Sequence, residues 1–193
     1  MTARYFVVSA LMRQAQGGYA NLVLDTELKK HPLEPRERAF ATAVFYSVLE
    51  HQKTLDYIIN QFSKKPVEKL DAPIREILRS GLAQARYMQV PPSAAVNEAV
   101  KLVKAFKKTS AAGMVNAILR RAIAYDLQGA TFQNEVEKIS VLGSVSPEVA
   151  AFFCAAYPEN ALDILTKTAE NSLTAIRVNS LKTTPTALAE LLH

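Results

Sequence analysis

Apolar residues recur three and four positions apart through almost all of the first 125 residues, and this spacing restricts the fold more than any other feature. After Thr2, which can cap a helix, the spacing is first seen in Phe6, Val7, Ala10 and Leu11. No convincing alternation of polar and apolar residues interrupts the pattern in this part of the sequence. Residues 1–125 are therefore predicted to be all-α.

Helix-breaking residues divide this pattern into about seven segments. Gly17-Gly18 ends the first predicted helix, His31-Pro32 ends the second, and Lys64-Lys65-Pro66 separates the fourth from the fifth. The later helices are predicted to begin near Asp71, Ser93 and Ser110. About seven helices joined by short connections favour an orthogonal helical bundle over a long coiled coil.

The sequence changes character beyond Tyr125. Ser146-Pro147-Glu148 and Pro158-Glu159-Asn160 are typical helix starts, which predicts two short helices. Residues 174–179 alternate in polarity and are rich in β-branched side chains, which predicts a strand, and Thr184-Pro185-Thr186 begins a last helix. Because a lone strand has no sheet to join, we interpret this end of the sequence as the opening of an incomplete α/β region.

The basic charge is concentrated in the helical part of the chain. Residues 1–125 contain 19 Lys and Arg against 10 Asp and Glu, whereas residues 126–193 contain 4 against 8. A basic domain attracts polyanions, and the release of counterions from phosphates favours binding, so nucleic acid is the natural partner class.

The composition argues against several other classes. One cysteine permits no intramolecular disulfide, and three scattered histidines give no zinc-ligand spacing. No uninterrupted apolar run approaches the roughly 20 residues that span a membrane, and the N-terminus lacks the features of a signal peptide. We expect a cytoplasmic protein with no metal and no membrane partner.

Short motifs in a fixed order give a resemblance to a known family. They are Gly18-Tyr19-Ala20-Asn21, Leu78–Gln84, Val90–Val100, Gly113–Arg121 and Arg177–Thr183. Together they resemble the NusB-like helical domain, and the start of the next region, of bacterial 16S ribosomal RNA cytosine-C5 methyltransferases of the RsmB/Sun type. The resemblance implies an RNA-binding domain over residues 1–127, a helical linker over 128–172, and over 173–193 the start of the α/β region that precedes the methyltransferase domain.

The same resemblance implies a reaction that this sequence is not equipped to perform. In the family, a nucleophilic cysteine adds to cytosine, S-adenosylmethionine donates the methyl group, and a second cysteine assists release. Cys154 lies in the apolar segment 151–156, so we interpret it as a core residue, and the glycines form no phosphate-binding loop. The chain is predicted to hold no cofactor and to be inactive alone, with S-adenosylmethionine used by the full-length protein.

The candidate RNA-binding residues are basic. Lys101, Lys104 and Lys108 follow each other at spacings of three and four, which predicts one basic stripe on a helix whose other face is apolar. The other candidates lie on the first, third and seventh predicted helices, and they are Arg4, Arg13, Arg36, Arg38, Arg120 and Arg121. Aromatic residues are few and Trp is absent, so shape and phosphate contacts to structured small-subunit ribosomal RNA are favoured over extensive base stacking.

Some of these polar residues have a structural interpretation as well. Arg79 and Arg120 each follow a leucine in an apolar helix, so either could cap a helix C-terminus or pair with carboxylates inside the bundle. Asn97 and Asn116 are interpreted as hydrogen-bonding residues that fix contacts between helices.

Two alternative functions stay open at this point. The first is a free-standing antitermination factor of the same fold, which would bind RNA and a ribosomal or transcription-complex protein. The segment from Ser146 to His193 argues against it, because the bundle alone would suffice. The second is a helical protein-interaction module whose basic face contacts an acidic protein.

Overall fold

The computed structural model describes residues 2–170 and 176–192, which form α-helices, two short 3₁₀ turns and irregular connections. The first seven helices build one bundle: α1 (Ala3–Gln14), α2 (Ala20–Lys30), α3 (Pro35–Glu50), α4 (Gln52–Asn60), α5 (Ala72–Tyr87), α6 (Pro92–Ala105) and α7 (Ala112–Ile123). Four helices follow: α8 (Glu135–Leu142), α9 (Pro147–Ala156), α10 (Ala161–Glu170) and α11 (Pro185–Leu192). The all-α class and the seven-helix bundle predicted from the sequence are confirmed.

Helix α5 lies at the centre of the bundle and packs against α1, α3, α4, α6 and α7. Its apolar residues point to several sides, and Ile77, Leu78 and Leu82 are fully buried. Gly81 permits the closest approach, because a Cβ atom there would lie 3.1 Å from Leu119 Cδ1 on α7 and 3.5 Å from the Cβ of Ala99 on α6. A larger residue at position 81 would push these helices apart.

A buried network of charges joins α4 to α5. Arg79 donates from Nε and Nη2 to the two carboxylate oxygens of Asp56, at 2.7 and 2.6 Å, and from Nη1 to Glu76 at 3.0 Å. Arg75 donates to the same oxygen of Glu76 at 2.8 Å. The prediction that Arg79 pairs with carboxylates inside the bundle is confirmed. Two arginines face two carboxylates, so the network is formally neutral.

Helices α8, α9 and α10 enclose a second, smaller core around Ile139, Ala150 and Ala161. This unit packs on α4, where the Thr54 hydroxyl donates to the carbonyl oxygen of Val141 at 2.5 Å and the Lys53 amide donates to the Ser144 hydroxyl at 3.1 Å. The bundle and the following helices are therefore connected by directional contacts as well as by the chain.

Helix α8 is absent from the sequence prediction, although its start carries a recognisable signal. The Asn134 side chain accepts a hydrogen bond from the Glu137 amide at 2.9 Å, and the Glu137 carboxylate accepts one from the Gln133 amide at 2.5 Å. An Asn followed three residues later by Glu, just before an apolar run, is a variant of the capping box. The two helices predicted near Ser146 and Pro158 correspond to α9 and α10.

The predicted strand is wrong where the structure describes it. Residues 176–179 have no regular secondary structure, while residues 174 and 175 of the predicted strand lie outside the described residues. No other strand occurs in residues 2–170 and 176–192, so residues 176–179 have no neighbour with which to form a ladder. The last helix, α11, begins where Thr184-Pro185 predicted it.

Within the described part of the chain, no single helix is long and apolar enough to cross a membrane. Helices α8 and α9 reach that length and apolar character only when they are taken together, and the chain bends by 115° between them.

Candidate nucleic-acid interface

A cleft of about 610 Å³ opens between segment 62–71 and helix α7, and we call it the basic cleft. Segment 62–71 is fixed to the end of α4 because the Asn60 side chain accepts a hydrogen bond from the Val67 amide at 2.8 Å. Val67 is itself fully buried and begins a 3₁₀ turn. The Ser63 hydroxyl donates to the Lys65 carbonyl at 2.6 Å, which closes the turn before Pro66. These contacts hold the lysines of the segment at the rim of the cleft.

The floor of the basic cleft is apolar. Its side chains come from segment 62–71, the start of α5 and one face of α7, and they are Phe62, Leu70, Ile74, Met114, Ala117 and Ile118. Ile74 and Ile118 are nearly completely buried, whereas Met114 is 40% exposed. The cleft therefore combines a fixed apolar base with side chains that solvent or a ligand can reach.

The rim of the basic cleft is strongly positive. It carries Lys64, Lys65, Lys69 and Arg121 against one lining carboxylate, that of Asp71. None of these three lysines forms a salt bridge with a residue that the structure describes.

The carboxylate of Asp71 is already paired. Lys108 Nζ donates to it at 2.7 Å, and this hydrogen bond, with the positive charges of Lys108 and Lys65, lowers the pKa of Asp71. Asp71 therefore stays ionised and occupies Lys108, while the rim lysines remain available to an anion.

Arg121 also takes part in a stack of planar groups. Its guanidinium carbon lies 4.6 Å from the centroid of the Phe62 ring, within the range of a cation–π contact. Phe62 in turn meets Tyr125 edge-on, with ring centroids 5.7 Å apart. The ring of Phe62 thus orients the guanidinium at the mouth of the cleft.

Of the nine predicted RNA-binding residues, Arg4 has internal contacts that occupy it. Its Nε donates to the Gln84 side chain at 2.8 Å, and its guanidinium lies 4.7 Å from the centroid of the Phe40 ring. Arg4 is half-buried and links α1 to α3 and α5. In this structure it is positioned by the bundle and is only partly open to a ligand.

Three other predicted residues form surface ion pairs. Arg13 lies 3.2 Å from Glu27, Lys101 lies 2.7 Å from Glu98, and Lys108 is paired with Asp71. The pairs of Lys101 and Lys108 are exposed and contribute about 0–1 kcal/mol, so a phosphate can replace their carboxylates at little cost. The carboxylate of Glu27 is only 10% exposed, so its pair with Arg13 is less easily replaced.

The remaining predicted residues are exposed. Arg36, Arg38 and Lys104 form no side-chain hydrogen bond or ion pair with any residue that the structure describes. Arg120 donates to Asn116 on its own helix at 3.2 Å and pairs with no carboxylate among the described residues. Of the predicted set, Arg121 lines the basic cleft and Lys108 pairs with its lining residue Asp71. Three lysines outside the predicted set, Lys64, Lys65 and Lys69, line the cleft as well.

Lys64, Lys65 and Lys69 were missed because Lys64-Lys65-Pro66 was interpreted only as a helix break. Two adjacent lysines at the end of an amphipathic helix, followed by a third lysine in the same connection, were a signal for a basic loop. Their proximity to α7 depends on the packing of helices distant in sequence, which no local pattern shows.

The prediction that two asparagines fix contacts between helices is wrong. Asn97 is exposed and makes no side-chain hydrogen bond to a described residue, and Asn116 bonds within α7 to Arg120. The packing faces of these helices are apolar instead, with Val96 and Ala99 buried on α6 and Ile118 and Leu119 buried on α7. Cys154 is half-buried against the small core of α8–α10.

Comparisons with known proteins give a family, similar proteins and similar structures. A model described as the NusB family matches residues 1–124. The chain is similar to a protein of Synechocystis sp. named probable ribosomal RNA small subunit methyltransferase B, at 41% identity over 124 residues. This match covers 64% of the chain and 28% of that protein, so the chain matches less than a third of the length of this relative.

Two solved structures share the fold. The crystal structure of PH0851 matches at a TM-score of 0.66 and 15% identity, over 98% of this chain and 44% of that one. The crystal structure of the antitermination factors NusB and NusE in complex with dsRNA matches at a TM-score of 0.59 and 21% identity, over 64% of this chain and 95% of that one. The first match extends over the helices that follow the bundle, whereas the second covers about as much of the chain as the bundle occupies.

Proposed function

The chain belongs to the NusB family through residues 1–124, and from this premise we propose that it is the RNA-binding N-terminal part of a ribosomal RNA methyltransferase. The proposed parent enzyme uses S-adenosylmethionine to methylate C5 of a cytosine in small-subunit ribosomal RNA in the cytoplasm. The similarity to a relative named for small-subunit methylation supports this assignment. In this proposal residues 1–127 bind RNA, 128–172 form a helical linker, and 173–193 lead toward the catalytic region.

The observation that carries the proposal is the excess of positive charge at the basic cleft. Lys64, Lys65, Lys69 and Arg121 surround a cleft whose lining carboxylate is neutralised by Lys108. Phosphates attract such a group of cations, and each phosphate neutralised releases counterions from the nucleic acid. Further cations are proposed to contact RNA elsewhere on the bundle, and they are Arg13, Arg36, Arg38, Lys101, Lys104 and Arg120.

The described residues do not fit the methyl donor. A site for it in this enzyme class needs a glycine-rich turn after a strand, and no strand occurs in the described residues. The thiol of Cys154 lies half-buried against the apolar residues of the small core. We therefore assign RNA binding and positioning to this chain and methyl transfer to the remainder of the parent enzyme.

The alternative of a free-standing antitermination factor has less support. The second small core around Ile139 docks on α4 through Thr54 and Lys53, which gives the helices beyond the bundle a defined place in the fold. An antitermination factor of known structure is matched over 95% of its length by only 64% of this chain. That match leaves about a third of this chain without a counterpart.

A salt series tests the proposal. Fluorescence anisotropy would follow binding of a labelled small-subunit ribosomal RNA hairpin to the chain and to a variant with Lys64, Lys65 and Lys69 changed to Ala. The triple variant should bind more weakly, with a slope of log K against log salt reduced by about 2–3, because three phosphate contacts are lost.

A charge-matched control is the triple variant with Lys29, Lys30 and Lys138 changed to Ala. These lysines lie on α2 and α8 and pair with carboxylates on their own helices. If both triple variants lose affinity equally, binding depends on net charge alone and the assignment to the basic cleft is wrong.

A further inference from the structure

We propose that the basic cleft receives an unpaired nucleotide of the bound RNA, with the base on the apolar floor and the adjacent phosphates on the rim. The inference rests on the proposed RNA-binding function and adds the kind of RNA that the chain prefers, one with an accessible unpaired base.

The volume of the cleft is that of a site for a small ligand. Its volume of about 610 Å³ lies within the roughly 300–1,000 Å³ of typical small-molecule sites. The floor is formed by side chains such as Ile74 and Ile118, which are fixed in the bundle core. Met114 and Ala117 on the same floor stay exposed to water, and covering their apolar surface with a base would lower the free energy.

The mouth of the cleft presents a planar group for stacking. The Arg121 guanidinium is held over one face of Phe62 at 4.6 Å. The contact with Tyr125, which meets Phe62 edge-on, restrains the orientation of the Phe62 ring. An unpaired base can stack on a guanidinium or on an aromatic ring, and it then also gains from the positive charge.

The rim favours RNA over an acidic protein segment. An acidic helix presents its carboxylates about one per turn, so it would need cations spread along a groove. Here four cations line a single cleft. Consecutive phosphates on either side of a single nucleotide provide that concentration of negative charge. The planar guanidinium beside the floor adds a feature that matches a base and has no counterpart in a run of carboxylates.

The test is a substitution that fills the space above the apolar floor and changes none of the rim cations. Ala117 lies on the exposed face of α7 and lines the cleft, so Ala117→Phe would occupy the space proposed for the base. Ala155→Phe on the exposed face of α9 is the matched control. Two RNAs would be titrated: a ribosomal hairpin with 2-aminopurine at an unpaired loop position, and a fully paired duplex of equal length.

The unaltered chain should bind the hairpin about tenfold more tightly than the duplex, as expected for one stacked base. Ala117→Phe should remove this preference and the 2-aminopurine fluorescence change, while its affinity for the duplex stays the same. Ala155→Phe should retain both. Arg121→Lys, which keeps the charge and loses the planar group, should also reduce the preference.

Three outcomes would overturn the inference in distinguishable ways. If hairpin and duplex bind equally, or if Ala117→Phe keeps the preference, RNA binding stands and the nucleotide site is wrong. If neither RNA binds, the proposed function fails as well. If an amphipathic helical peptide, with Leu at spacings of three and four and Glu on its other face, binds in an Ala117-dependent manner and RNA does not, the cleft is a protein-docking groove.

Discussion

Removing Arg79 should destabilise the bundle more than any other change to a single charged residue in its core. Its side chain is 7% exposed and makes three charge-assisted hydrogen bonds, two to Asp56 and one to Glu76. Arg79→Met keeps the aliphatic part of the side chain but removes its charge. The carboxylates of Asp56 and Glu76, which are only 12% and 2% exposed, would then have Arg75 as their single cationic neighbour, in contact with Glu76 alone. Breaking one side of a buried ion pair costs about 3–5 kcal/mol, a large part of the roughly 5–15 kcal/mol that stabilises a typical domain.

The effect of Arg79→Met should also depend on pH in a defined direction. Burial already raises the pKa of Asp56, and its hydrogen bonds and charge attraction to Arg79 oppose that rise. Without Arg79 the pKa rises further, so the folded variant binds more protons than the unfolded chain around pH 5. The free energy of unfolding lost by the variant should therefore be smaller near pH 5 than at pH 7.

Urea unfolding followed by circular dichroism at both pH values measures this loss. The control is Arg75→Met, because Arg75 is more exposed, contacts the network through Glu76 alone and leaves the Arg79–Asp56 pair intact. It should cost about 1.5 kcal/mol. A loss below about 1 kcal/mol for Arg79→Met at pH 7, or a loss that does not change with pH, would refute this reasoning about the network.

Three further predictions concern packing, pH and the connection between the two cores. Gly81→Val should lower the free energy of unfolding, measured in urea, by about 1–3 kcal/mol, because the new side chain meets Leu119. Gly113→Ala lies in open space on α7 and should raise it by about 0.5–1 kcal/mol. Equal effects of the two substitutions would contradict the close packing at Gly81. Burial lowers the pKa of His51, so the free energy of unfolding should hold its full value above pH 6.5 and decrease as the pH falls below it. In His51→Gln the melting temperature should depend less on pH in that range, and an unchanged pH dependence would contradict this. Thr54→Val leaves the Val141 carbonyl without its hydrogen-bond donor, so amide hydrogen exchange in α8–α10 should become faster while exchange in the bundle stays the same. An equal change in both parts would contradict docking through this contact.

The sequence predicts the bundle well because each of its helices carries its own evidence. Caps, glycines and prolines mark the ends, as at Thr2, Gly17 and Pro35, and the apolar spacing identifies the buried faces. The one predicted strand failed because alternation and β-branched residues describe a strand only when a neighbour provides hydrogen bonds. Residues 176–179 have no such neighbour in the described structure.

The candidate site was less predictable, since it depends on contacts between distant segments. The spacing predicted one basic stripe of Lys101, Lys104 and Lys108 on a helix, but α6 ends at Ala105, so Lys108 lies outside it and the stripe is wrong at that residue. Lys101 and Lys108 are also paired with acids. The basic cleft joins Lys64 and Lys65 to Arg121, more than 50 residues later in the chain. Only the packing of α4, α5 and α7 brings those charges together, and no local pattern contains that information.

The central claim, that this chain recognises ribosomal RNA, is tested most directly by comparing its affinities for two RNAs at physiological salt. A small-subunit ribosomal RNA hairpin and an unrelated hairpin of equal length would be titrated in parallel, with heparin as a polyanion without RNA structure. We expect the chain to bind the ribosomal hairpin more tightly than either competitor. Equal affinity for all three, or no binding of RNA at this salt concentration, would contradict it.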